Sequence, residues 1–174
     1  FPYTTLFRSA RIEALQAAGE WDELGRILSA AARGLEAAGA GLLLICANTM
    51  HLVADSVAGA VSVPLLHIAD AAGTAVRGRG LQTVGLLGTK YTMEMPFYSD
   101  RLESSFGLQV IVPAEGDRPR INEIIYDELV RGVFSDSSRT VLLEIIDGLR
   151  DRGAEGVLLA CTELPLLVRP EHTD

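Results

Sequence analysis

The sequence is poor in residues that several kinds of chemistry require. Its 174 residues include a single lysine, Lys90, and two cysteines, Cys46 and Cys161. Enzymes that use pyridoxal phosphate hold it as a Schiff base on a lysine, and we predict no such adduct here. The two cysteines form no CxxC pair, which gives little support to a redox disulfide and leaves a tetrahedral zinc short of ligands. We expect neither a cofactor nor a metal.

A surplus of positive charge is also absent, as is any apolar segment long enough for a membrane helix. The chain carries 15 Lys and Arg against 23 Asp and Glu, a formal net charge of -8. Nucleic-acid-binding proteins instead cluster basic side chains to displace counterions. No run approaches the roughly 18 to 20 apolar residues of a membrane helix, and no signal peptide pattern opens the chain. We therefore expect a cytoplasmic protein that binds neither nucleic acid nor membrane.

The first nine residues, FPYTTLFRS, do not fit the pattern that follows them. They begin without methionine and show no clear periodicity. We expect residues 1–9 to be non-native or irregular, and they take no part in the functional argument.

What the sequence does contain is an alternation of helical patterns and short apolar runs. Apolar residues recur at three- and four-residue steps over residues 10–38 with a break near Gly19, which predicts one or two helices, and Gly39 is placed to cap the second. Further helices are predicted over about 51–60, 69–79, 92–106, 118–132 and 136–152. The runs between them, which we predict as strands, are LLLIC, VPLLHI, TVGLLGT, LQVIVP and GVLLAC. Because these runs are apolar on both faces, they predict parallel sheets covered by helices on each side, an α/β fold.

The first and last of these runs are alike. GLLLIC (41–46) and GVLLAC (156–161) align without a gap, and a helical segment ending in Gly-Ala precedes each. This repeat predicts two related α/β lobes, residues 10–80 and 81–174, each contributing one cysteine from the end of a strand. Ligands of open parallel sheets bind outside the carboxyl ends of the strands. Cys46 and Cys161 are therefore predicted to lie where a ligand binds.

Two thiols at equivalent positions suit proton transfer on opposite faces of a carbon atom. A single buried cysteine is more often only a small apolar side chain. Here each cysteine is followed within three residues by polar groups, Asn48 and Thr49 in one case and Thr162 and Glu163 in the other, which a core does not require. Inverting a stereocentre by deprotonation needs one base on each face. A thiol pKa near 8.5 can be lowered until thiol and thiolate coexist near neutral pH.

The segments CANTMH and CTELPLL, with TVGLLGTKYTM and INEIIYDELVRG between them, resemble the aspartate/glutamate racemase family and, within it, the aspartate racemase branch. The resemblance covers the chain from about Ala10 to Asp174. It implies two pseudo-symmetric lobes with the active site between them, a homodimer, and racemisation of aspartate or glutamate without a cofactor. Family members usually begin with an additional strand and glycine-rich loop and end with a further strand and helix. The resemblance therefore implies an incomplete first lobe and a second lobe without its C-terminal strand and helix.

The resemblance also implies roles for single residues. Cys46 and Cys161 correspond to the two catalytic bases, and Glu163 to a residue that binds the substrate ammonium or orients Cys161. The positions that correspond to further substrate contacts are Asn48, Thr49, Thr89, Thr92 and Thr162.

Other interpretations of these residues stay open. Asn48 and Thr49 would also serve as caps of the helix predicted near His51, and His51 itself more often packs or caps than catalyses. The side-chain carboxylate of an acidic substrate needs a cation, for which Lys90 and Arg118 are candidates. A dicarboxylate isomerase or decarboxylase of the same superfamily would use one cysteine as nucleophile or sole acid. A catalytically silent protein that binds a carboxylate or oligomerises would depend on neither thiol.

Overall fold

Two helices open the chain. In the computed structural model, which describes the backbone of residues 2–173 and the side chains of residues 10–173, these are α1 (Pro2–Ala18) and α2 (Trp21–Ala37). Gly19 between them has φ 73° and Gly39 beyond α2 has φ 95°, left-handed values that glycine adopts readily. The predicted break and cap are thereby confirmed. Residues 2–9 are helical where irregular backbone was expected; Phe1 lies outside the described residues.

A pair of short parallel strands follows, β1 (Leu43–Leu44) and β2 (Leu65–Leu66), with Leu43 opposite Leu65. Between them lie a 3-10 turn (Thr49–Val53) and α3 (Ala54–Ala58), shorter than the predicted helix over 51–60. Leu43 is buried, but Leu44 and Leu66 are 63% and 53% exposed. The prediction that both strands are buried on both faces is therefore wrong for this pair.

A second, three-stranded sheet has the order β4-β3-β5, with β3 (Thr83–Gly88) in the centre, β4 (Gln109–Ile111) and β5 (Gly156–Ala160). All pairings are parallel. Side chains of β3 alternate between two cores: Val84 and Leu86 lie in one, with Tyr98 and Leu102, while Leu87 lies in the other. This confirms a parallel α/β fold with helices against both faces of the sheet.

The helices of this part are shorter and more irregular than predicted. The segment 92–106 is divided at Met95 because Pro96 starts a new helix. The segment 118–132 begins as an α-helix, continues as a π-helix (Ile124–Glu128) and ends as a 3-10 turn (Leu129–Arg131). In chain order the helices are α4 (Ile68–Gly78), α5 (Lys90–Glu94), α6 (Pro96–Phe106), α7 (Arg118–Glu123), α8 (Asp136–Asp151) and α9 (Leu164–Leu167), followed by a 3-10 turn (Pro170–His172).

The chain forms two compact units. The first comprises the described residues up to Ile45 together with Met50–His67, and its core contains Ala32, Leu43 and Val57. The second comprises Cys46–Thr49 and the described residues from Ile68 onward. This division differs from the predicted lobes, 10–80 and 81–174, because α4 and the first cysteine segment belong to the second unit.

Candidate active site

The carboxyl ends of β3 and β5 bring two sequence-predicted residues side by side. Gly88 and Ala160 are the last paired residues of these strands, so Thr89 and Cys161 leave the same edge of the sheet next to each other. A Cβ atom at Gly88 would lie 2.8 Å from the Ala160 carbonyl oxygen and 2.9 Å from Cβ of Thr92. Only glycine permits this close approach, which sets the position of the following turn.

Three buried threonine hydroxyls meet at this turn. Thr89 is the N-cap of α5, and its Oγ1 accepts a hydrogen bond from the Thr92 backbone N–H at 3.4 Å. The same oxygen lies 2.9 Å from Oγ1 of Thr49 and 3.3 Å from Oγ1 of Thr92. The structure thus brings together three predicted substrate-side residues. Their hydroxyls form a connected group that both donates and accepts hydrogen bonds.

The first cysteine segment, Cys46–Thr49, belongs to the same unit as this turn. Cys46 follows β1 and is exposed, whereas Asn48 and Thr49 are buried. The N-cap of α3 is Val53, which provides no side-chain cap, so the segment does not cap that helix and Thr49 is bonded to Thr89 instead. Within the described part of the chain the Asn48 amide makes no hydrogen bond. An amide with unused donors and acceptor is available to a polar ligand.

The second cysteine is buried and bonded to a carboxylate. The Cys161 thiol donates to Oε2 of Glu163 at 3.1 Å, and the Thr162 hydroxyl donates to the same oxygen at 2.7 Å. Burial, the largest cause, and the Glu163 carboxylate together raise the pKa of Cys161 to about 12, against the opposing effect of the backbone N–H groups of Glu163 and Leu164. The thiol is therefore protonated at neutral pH, and in this state Cys161 can donate a proton but cannot accept one.

The candidate cations for a substrate carboxylate have other contacts. The Lys90 ammonium lies 4.9 Å from the centre of the Tyr91 ring. The Arg118 guanidinium donates to the Pro113 carbonyl oxygen at 2.9 Å and lies 4.0 Å from the Glu94 carboxylate. Neither contact joins these side chains to the threonine group or to Cys161, so their role as substrate cations stays a prediction.

His51 is buried beside a second histidine. Its ring centre lies 4.5 Å from that of His67, with the rings edge to face. Among the described residues, no group of three or more His, Cys, Asp or Glu side chains is arranged to hold a metal ion. In the same part of the chain, no helix combines the length and apolar character that crossing a membrane requires.

One residue at the turn was not assigned a role from the sequence. Oδ1 of Asn122, on α7, accepts a hydrogen bond from the Lys90 backbone N–H at 3.0 Å. Asn122 lies in the segment INEIIYDELVRG, which carried part of the resemblance. The sequence offers no local signal for this contact, since Lys90 and Asn122 are 32 positions apart.

The fold agrees with comparison to known proteins. The Asp/Glu/hydantoin racemase family matches residues 3–174, and the chain belongs to this family. The match covers nearly the whole chain, including both cysteine segments. It supports the interpretation that the protein is an amino-acid racemase.

Solved structures point to the same class. A candidate Asp/Glu racemase from Yersinia pestis is 44% identical, with a TM-score of 0.88 over 95% of this chain and 72% of that protein. An aspartate racemase homologue from Pyrococcus horikoshii is 40% identical, with a TM-score of 0.78 over 91% of this chain and 70% of that protein. A glutamate racemase from Francisella tularensis in complex with D-glutamate is 19% identical, with a TM-score of 0.65 over 84% of this chain and 54% of that protein. At that identity the last comparison shows the shared fold alone.

Proposed function

We propose that the chain racemises an acidic amino acid, aspartate or glutamate, by moving the α-proton between Cys46 and Cys161 without a cofactor. The observation that carries the proposal is the junction at Thr89. Its hydroxyl lies 2.9 Å from Thr49 of the first cysteine segment, and its strand pairs with the strand that leads into Cys161. Family membership supports the racemase class on which the two-cysteine mechanism builds.

The polar groups at this junction suit the two charged ends of an amino acid. The Asn48 amide and the hydroxyls of Thr49 and Thr89 supply hydrogen-bond donors for a carboxylate. The Glu163 carboxylate supplies an acceptor for the ammonium group. We propose that the α-carbon is held between these groups, with Thr92 and Thr162 completing the hydrogen bonding.

The protonation state of Cys161 fits a reaction that begins only when substrate is bound. A substrate ammonium beside Glu163 would neutralise that carboxylate and place a positive charge near the thiol. Both effects favour the thiolate and lower the raised pKa of Cys161. A thiolate formed in buried surroundings is also a stronger base than an exposed one, which suits removal of a weakly acidic α-proton.

The test is to incubate the protein with one enantiomer in D₂O and follow deuterium at the α-carbon and the appearance of the other enantiomer. We expect Cys46→Ser and Cys161→Ser each to abolish racemisation, because a serine hydroxyl is a far weaker acid than a thiol. Each variant should retain at most exchange of the α-proton of one enantiomer, and that enantiomer should be a different one in each variant. Absence of deuterium in aspartate and glutamate, or full activity of either variant, contradicts the proposal.

We also propose that pyridoxal phosphate takes no part. A Schiff base would have to form on Lys90, the only lysine, whose ammonium lies against Tyr91. Purified protein should show no absorbance band of an internal aldimine. A band that disappears in Lys90→Ala would overturn this part of the proposal.

The difference between the two thiols favours one alternative. Cys46 is exposed, and Cys161 is a buried acid bonded to Glu163. A dicarboxylate isomerase or decarboxylase would use such a pair unequally, with Cys46 as nucleophile and Cys161 as proton donor. Mass spectrometry of protein incubated with maleate or an arylmalonate distinguishes the two schemes, since a covalent adduct on Cys46 supports the alternative and the racemase scheme forms none.

The remaining expectations from the resemblance are proposals of the same kind. We propose a homodimer in the cytoplasm. Light scattering during size-exclusion chromatography tests the dimer, and a monomer at every concentration contradicts it.

A further inference from the structure

Helix α7 contacts both ends of the short helix α5 that follows Thr89. Arg118 and Asn122 are four residues apart and therefore lie on one face of α7. Asn122 accepts the backbone N–H of Lys90, the first residue of α5, at 3.0 Å. The Arg118 guanidinium lies 4.0 Å from the carboxylate of Glu94, the last residue of α5. Helix α7 is anchored in the core by Ile121, which is fully buried.

The Asn122 contact acts on the conformation of Thr89. The Lys90 N–H and the Thr89 carbonyl share one peptide plane, because the peptide bond is planar. A hydrogen bond that holds this N–H therefore holds the ψ angle of Thr89, which is 162° here. This angle determines how Thr89 is turned relative to α5, and hence where its hydroxyl meets those of Thr49 and Thr92.

We propose that Asn122 is a positioning residue for substrate binding, which acts by fixing Thr89. The inference rests on the proposed function, since it assumes that the threonine hydroxyls bind the amino acid. Asn122 itself need not touch substrate. Its amide oxygen is the acceptor for an N–H group at the start of a helix, where the chain provides no backbone partner.

The experiment compares two substitutions at this site with a matched control. Asn122→Leu keeps a similar shape and removes the acceptor, whereas Asn122→Asp keeps an acceptor oxygen. The control is Glu155→Leu: Oε2 of Glu155 accepts the backbone N–H groups of Gln82 and Thr83 at 2.6 and 2.8 Å, at the opposite end of the same strand β3. Each leucine variant removes a side-chain acceptor for backbone N–H groups next to β3, but only one of them is next to Thr89.

We expect Asn122→Leu to raise KM for L-aspartate by about tenfold while kcat changes by less than about threefold. A misplaced hydroxyl weakens binding of the ground state and the transition state alike, and a hydrogen bond to a charged group accounts for a factor of about ten or more. Asn122→Asp should restore KM to within about threefold of the wild-type value. Glu155→Leu should lower the urea midpoint and leave KM unchanged. If Asn122 acts only by fixing Thr89, adding Asn122→Leu to Thr89→Ala should raise KM no further than Thr89→Ala does alone.

Three kinetic results overturn the inference: an unchanged KM in Asn122→Leu, an equal rise in Glu155→Leu, or a full additional rise in the Thr89→Ala background. A readout independent of activity separates this inference from the proposed function. Titration with L-aspartate should shift the backbone amide NMR signals of Thr89 and Thr92 with the same midpoint in wild type and in Glu155→Leu, and with a midpoint about tenfold higher in Asn122→Leu. Such shifts without racemisation overturn the proposed function alone. Their absence in wild type overturns the positioning role.

Discussion

The thiol of Cys161 should react with alkylating reagents far more slowly than an ordinary cysteine. Burial is the main reason that its pKa is about 12 rather than 9.0, and the Glu163 carboxylate, 3.1 Å from the sulfur, adds to the effect. A difference of three in pKa reduces the thiolate fraction near neutral pH by about a thousandfold, because each pKa unit is a factor of ten. Since the thiolate is the nucleophile, the alkylation rate should fall by a similar factor.

Replacing Glu163 by glutamine should reverse part of this effect. Glutamine retains an oxygen that accepts the thiol proton but carries no charge. A hydrogen bond to a charged group contributes roughly 1 kcal/mol more than one to a neutral group, so loss of the charge should lower the pKa of Cys161 by roughly 0.7 and speed alkylation about fivefold. Most of the increase in the pKa of Cys161 should remain, because the substitution leaves the burial of the thiol unchanged.

The assay uses iodoacetamide and intact-protein mass spectrometry in a Cys46→Ala background, where one thiol is left to react. Rates are measured from about pH 7 to about pH 10, a range in which an ordinary thiol titrates. Glu171→Gln is a matched control, since this exposed carboxylate lies near Arg169 and contacts no thiol. Equal rates with and without Glu163→Gln at every pH, or a Cys161 that reacts as fast as free cysteine, refute the reasoning.

Three further predictions concern stability. Gly88→Ala should destabilise the protein by about 1–3 kcal/mol in urea unfolding, because the new methyl group would lie 2.8 Å from the Ala160 carbonyl oxygen. The control Gly148→Ala on α8, with open space around it, should instead stabilise the protein by about 0.5–1 kcal/mol. Equal effects of the two substitutions contradict the steric argument. Leu102→Ala, at a fully buried position, should cost about 2–5 kcal/mol, and a loss below about 1 kcal/mol would show that the core readjusts. Two backbone N–H groups lower the pKa of the Glu155 carboxylate below its ordinary 4.5, so the stability that this carboxylate contributes is present above pH 4.5 and is lost as the pH falls below it. The stability of Glu155→Gln should therefore depend less on pH in that acid range, and an unchanged pH dependence contradicts this prediction.

The sequence by itself determined the class of fold and the positions where chemistry was to be expected. Strand β3 is apolar at consecutive positions, and a strand of that kind satisfies both its faces only between two layers, as Val84 and Leu87 do in separate cores. The glycine after α2 marked the end of that helix because a left-handed residue is required there. The two cysteine segments were found from local pattern, since each follows an apolar run directly.

The lengths and exposure of the first strands depended on tertiary contacts. LLLIC and VPLLHI have the composition of buried strands, yet Leu44 and Leu66 are more than half exposed. Periodicity reports which residues prefer burial, but a side chain is buried only where another element packs against it. Pro96 divided one predicted helix for a local reason that the apolar pattern does not report: proline lacks the backbone N–H that a continuing helix needs, so a new helix begins there.

The chemical state of the site was decided by the tertiary structure alone. Both cysteines end similar runs, but one thiol is exposed and the other is buried with a raised pKa. Burial and hydrogen bonding change a pKa through the groups that the fold brings close. Likewise, the bond between Thr49 and Thr89 joins residues 40 positions apart, and that between Lys90 and Asn122 joins residues 32 apart. A local sequence pattern can identify such residues one at a time. Which of them are in contact depends on how the strands pair and how the helices pack.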